Sequence, residues 1–81
     1  MRNREQAEIL LRKAREDEFT ADKLIPDPAA PDVVIGFHAQ QAVEKMLKAI
    51  LTLNGIGYPR IHDLTELVNI LRENQIEFPQ Q

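Results

Sequence analysis

An all-α fold of three main helices is predicted by three observations. Apolar residues recur at helical spacing in three segments. Strand signals are confined to Val33, Val34 and Ile35, a run that merges into a longer helical pattern. Proline- and glycine-bearing stretches separate the segments.

The first segment runs from about Asn3 to Leu24. Ala7, Leu10, Leu11, Ala14 and Ala21 share one face by the i, i+3, i+4, i+7 rule, which predicts an amphipathic helix. Arg2, Arg4, Glu5, Glu8, Arg12, Lys13, Arg15, Glu16 and Asp17 cover much of the remainder and read as a solvated face of mixed charge. Pro26, Pro28 and Pro31 end this helix, because each lacks an amide donor and restricts the residue before it. The stretch from Ile25 to Asp32 reads as an extended surface connection.

The second segment spans about Val33 to Asn54, with Asp32 as the expected N-cap and Asn54-Gly55 as the stop. Ile35, Ala39, Ala42, Val43, Met46, Ala49, Ile50 and Leu53 occupy one arc, and Leu47 and Leu51 widen it to roughly 200°. A helix so broadly apolar must touch more than one neighbour, either as the centre of the bundle or as half of an interface. His38, Gln41, Lys45 and Lys48 lie at i, i+3, i+7 and i+10, a stripe of about 80° on the remaining arc. An imidazole, an amide and two ammonium groups so aligned could hold a phosphate, a nucleotide or an acidic partner surface. They could equally form the solvent side of a central helix.

The third segment begins at Asp63, which stands three residues before Glu66 in capping-box spacing. Leu64, Leu67, Val68 and Leu71 form its apolar face, and Asn74 is the expected terminator. Ile76 and Phe78 come after it without an obvious cover. Before this helix the loop presents Arg60 and His62 close to a helix N-terminus, where backbone amides favour anions, so a second small cationic site is conceivable. A helix-entry packing role for His62 is as good a reading.

Composition bounds the rest. The chain has 81 residues, no cysteine and two histidines, so neither disulfides nor a thiolate metal site can staple so small a fold. Tight packing, a partner chain or both must supply what is missing. A net charge of −3 removes the global basic footprint of a nucleic-acid binder, and no apolar run reaches the length of a membrane span. A soluble, cytoplasmic protein without membrane association is the expectation. No metalloprotease, P-loop or nucleophile-elbow motif is present, serine is absent altogether, and no cofactor, metal site or catalytic residue is assigned.

Residues 37–51 read FHAQQAVEKMLKAIL. This string resembles the central helix of HEPN domains, the higher eukaryotes and prokaryotes nucleotide-binding family. The glycine-bearing loop and the His62-Asp63-Leu64 helix start are similar to the loop and helix start beyond that helix in family members, and the first segment is similar to their opening helix. The resemblance implies a single HEPN-like domain over residues 1–81, shortened at its C-terminal end relative to members that add a further helix or two. It implies an up-and-down bundle completed by homodimerisation. It also implies a nucleotide- or partner-binding module, the companion of a nucleotidyltransferase-like protein in a toxin–antitoxin pair, with a nucleotide or RNA as ligand.

His38, Gln41, Lys45, Lys48, Arg60 and His62 are its candidate binding residues. Two alternatives stand beside this reading, a metal-independent endoribonuclease toxin or its remnant, and a purely structural dimerisation domain. Ribonuclease members of the family carry an arginine with a histidine four to six residues beyond it. Neither His38 nor His62 has such an arginine upstream, which counts against cleavage activity.

Overall fold

The computed structural model describes residues 2–58, 60 and 63–76. It holds three helices, α1 (Arg2–Leu24), α2 (Asp32–Leu53) and α3 (Leu64–Glu73), and no strand among the described residues. Number, order and class are those predicted.

α1 and α2 form an antiparallel hairpin. The C-terminal end of α2 meets the first turn of α1, where Gly55 lies beside the Asn3 amide, and Asp17 faces His38 and Lys45 farther along. Their shared seam is built of alanine. Ala7, Ala14 and Ala21 recur every seven residues along α1 and are buried, as are Ala42 and Ala49 on α2. Methyl side chains on both helices let the backbones approach closely, and the seven-residue repeat keeps the contact on one stripe. Leu11, expected on the buried face, lies at the edge of this stripe and is 39% exposed. The seam runs through residues 7, 14 and 21, and position 11 turns away from that line.

The linker between α1 and α2 is ordered by its own polar groups. The Asp27 carboxylate accepts the Ala29 N–H at 2.9 Å, and the Asp27 carbonyl accepts the Ala30 N–H at 3.0 Å. Asp32, the N-cap expected from sequence, is instead the first helical residue of α2; the N-cap is Pro31, in extended geometry. The Pro31 carbonyl starts the ladder by accepting from Val34 and Ile35 at 3.1 and 3.3 Å. The Asp32 carboxylate in the first turn complements the helix's positive end.

α2 and α3 close in the same way. Each ends in Ile-Leu-x-x-Asn-x-Ile, at Ile50–Ile56 and at Ile70–Ile76. In both, the asparagine side chain donates to the carbonyl of the first isoleucine at 2.8 Å. The next residue has positive φ, Gly55 at 70° and Gln75 at 59°. The final isoleucine N–H returns to the leucine carbonyl at 2.9 Å in both cases. These turns throw Ile56 and Ile76 back onto one cluster, whose buried members are Leu47, Leu51, Leu67 and Leu71. Ile76 is therefore covered, contrary to the expectation from sequence. Phe78 lies outside the described residues.

The molecule thus has two contrasting contacts, a thin alanine seam between α1 and α2 and a leucine cluster between the second half of α2 and α3. The N-capping expected of Asp63 is present, its carboxylate accepting from Thr65 and Glu66 N–H at 2.9 and 3.4 Å.

Candidate polar stripe and apolar face of α2

His38, Lys45 and Lys48 do share one side of α2, but two carboxylates meet them there. Asp17, from α1, accepts from His38 Nδ1 at 3.0 Å with one oxygen and from Lys45 Nζ with the other. The Lys48 ammonium donates to Glu44, one turn earlier on α2, at 2.9 Å. Only modest fractions of these side chains reach solvent, 28% of His38, 25% of Lys45 and 14% of Lys48. The stripe is a charge-compensated cluster at the side of the hairpin.

Asp17 is held below the usual aspartate range. Partial burial raises its pKa, but the hydrogen bonds and positive charges of Lys45 and His38 outweigh that effect. An ionised carboxylate only accepts, so His38 Nδ1 carries the hydrogen and Nε2 is the ring atom left for other contacts. Phe37 packs edge-on against the imidazole, with ring centres 5.4 Å apart. Lys48 also lies 5.8 Å from the Tyr58 ring centre, which ties the far end of the stripe to the loop after α2.

Gln41 is half-buried on the same side of α2, and Arg60 is exposed in the α2–α3 loop. His62 lies outside the described residues. Asp17 and Glu44 are not among the residues that the sequence singles out. A signal for Asp17 is nonetheless present, because Ala7, Leu10, Ala14, Asp17, Ala21 and Leu24 keep a 3-4 spacing and make Asp17 the one charge on the seam. Glu44 precedes Leu47 and Leu51 on the line that faces α3 and is 2% exposed.

A second surface of α2 is only partly covered by the described residues, with Ile50 at its edge packing against the leucine cluster. Ala39, Val43, Met46, Ile50 and Leu53 also keep a 4-3-4-3 spacing, between the lines that face α1 and α3. Val43 is 46% and Leu53 59% exposed, while Met46 and Ile50 are half-buried. α3 has 10 residues against the 22 of α2, so the first half of α2 also leaves Val33 and Phe37 uncovered, at 78% and 58% exposure. Among the described residues no helix is long and apolar enough to cross a membrane, and no group of three or more His, Asp or Glu side chains could hold a metal ion.

Residues 7–81 match the family model described as HEPN domain. A curated protein of Methanocaldococcus jannaschii, whose name classes it provisionally as a toxin, is 38% identical over 71 residues. That match takes in 88% of this chain and 45% of the relative, so the chain spans about half the length of the protein it resembles. No solved structure matches.

Proposed function

The chain belongs to the HEPN domain family, and on that premise we propose that it is a toxin-type HEPN module that acts by binding. Its working surface is the open apolar face of α2, which pairs with a second copy of the chain. The resulting dimer engages a macromolecular partner, a nucleotidyltransferase-like protein of a toxin–antitoxin pair. The observation that carries this reading is the Ala39–Leu53 seam, five apolar residues at helix-pairing spacing of which Ala39, Val43 and Leu53 stay exposed. The seam is centred on Met46, so a two-fold axis there sets Ala39 opposite Leu53 of the second copy, small against large.

The test is co-expression with a nucleotidyltransferase-like protein encoded beside such a chain, and then co-purification. A stoichiometric complex that Val43→Glu abolishes supports the reading. No complex with the wild-type chain contradicts it. The endoribonuclease alternative predicts RNA cleavage by the pure protein without metal, and intact RNA after prolonged incubation removes it.

A second reading, nucleotide binding along the stripe, is favoured by the exposure that His38 and Lys45 retain. A phosphate there competes with Asp17 for the same two cations. Titration with ATP and GTP should shift the amide signals of His38, Gln41, Lys45 and Lys48, less so at high salt. Lys45→Ala with Lys48→Ala should weaken that response, and unmoved signals in the wild type end this reading.

A further inference from the structure

The open line of α2 has a companion on α1. The buried alanines of α1, Ala7, Ala14 and Ala21, have a flank on either side. Leu10, Asp17 and Leu24 form one flank; it is half-buried, and Asp17 bonds His38 and Lys45 across the hairpin. Arg4, Leu11, Glu18 and Ile25 form the other, again seven residues apart, and all four are exposed. On α2, His38 and Lys45 lie to one side of the buried Ala42 and Ala49, with Ala39, Met46 and Leu53 to the other. Asp17 marks the first side of the hairpin, so Arg4, Leu11 and Glu18 stand on the second, beside the Ala39–Leu53 seam.

The two lines share a midpoint. Gly55 lies beside Asn3, and Asp17 meets both His38 and Lys45. This stagger puts Leu11 within about 1.5 Å, one residue's rise, of the level of Met46. A two-fold axis across Met46 therefore also crosses α1 at Leu11. Arg4 and Glu18 stand seven residues either side of Leu11 with opposite charges, so the axis brings Arg4 of each copy to Glu18 of the other. One line farther out, the exposed Glu8 and Arg15 stand three residues before Leu11 and four after it, and they meet crosswise in the same way. Within one chain Arg4 bonds Glu8 at 3.3 Å in an exposed pair, while Arg15 and Glu18 make no ion pair among the described residues.

We propose that the pairing surface is two helices wide, with α1 laid antiparallel on α1 and α2 on α2 of a second copy, and that the crossed pairs Arg4–Glu18 and Glu8–Arg15 set this register. The inference rests on the pairing proposed at the Ala39–Leu53 seam and adds its orientation and its specificity. An axis along the helices would instead lay α1 on the apolar line of the second α2, setting Arg4 and Glu18 against it without partners. Exposed ion pairs add little strength, so the apolar line holds the copies together and the charges choose how they lie.

Sedimentation of the full chain across micromolar concentrations compares the wild type, Arg4→Glu, Glu18→Arg and the double exchange. Each single reversal sets like charges across the axis twice and is expected to raise the dimer dissociation constant about tenfold. The double exchange restores opposite charges and should return to within about threefold of the wild type, with helicity unchanged throughout. The chain has no cysteine, which permits a second measurement of the register. Leu11→Cys places a thiol on the axis and should cross-link to a covalent dimer in oxidised glutathione, whereas Lys13→Cys, on the Asp17 side of α1, should not. A wild type that stays monomeric overturns this inference together with the pairing beneath it. A dimer that Val43→Glu dissolves overturns the register alone if neither single reversal weakens it, if the double exchange stays weak, or if Leu11→Cys fails to cross-link.

Discussion

Asp17 shows how much one side chain can decide in a chain of this size. It is the single charge on the α1 seam, and it joins α1 to α2 by bonds to His38 and Lys45. Asp17→Asn keeps the shape but removes the charge, and should destabilise the fold by about 1–3 kcal/mol, read as a shift in the urea midpoint. The lowered pKa sets the pH dependence. The folded state binds the Asp17 proton more weakly than the unfolded chain, so its stabilisation is complete above the ordinary aspartate value of 3.8 and is lost as pH falls through the lower folded value. Urea curves of wild type and Asp17→Asn should therefore differ by a constant amount near neutrality and draw together in acid. A difference that persists unchanged at low pH would mean that the carboxylate charge is not what holds the hairpin. From sequence, the cations of the stripe were legible and their partner was not, because a helical face read in isolation does not say which residue of another helix stands opposite.

Among the elements, helix ends and helix seams behave differently under substitution. The twin Ile-Leu-x-x-Asn-x-Ile ends differ chiefly at the positive-φ residue, glycine in one and Gln75 in the other. Gln75→Gly should stabilise by about 1 kcal/mol, since a side chain strains the left-handed region, and thermal unfolding measures it. Asp63→Ala should cost about 1 kcal/mol by leaving the first amides of α3 uncapped. At the alanine seam, Ala14 is fully buried, and Ala14→Leu should cost about 1–3 kcal/mol by pushing α1 from α2. The three helices and most of their ends were legible because periodicity and caps are local. Leu11, Pro31 and Ile76 escape a sequence reading for a shared reason: each depends on where the neighbouring helix or the adjoining turn puts the chain, and local spacing carries no record of that.

On the scale of the whole molecule, the chain exposes 6244 Å². A compact monomer of its mass, 9.3 kDa, would expose about 5,000 Å². Its radius of gyration, 13.8 Å, likewise exceeds the roughly 12 Å expected of a compact domain of this length. Both excesses are consistent with the pairing proposed at the Ala39–Leu53 seam. The broad apolar arc of α2 was visible in the sequence, but only the packed helices divide it into a line for α1, a line for α3 and a line left largely open. The decisive measurement for that third line is sedimentation of the wild type across micromolar concentrations, beside Val43→Glu. Pairing through the seam requires a concentration-dependent dimer for the wild type and a monomer of unchanged helicity for Val43→Glu; a wild-type chain that stays monomeric throughout would refute it.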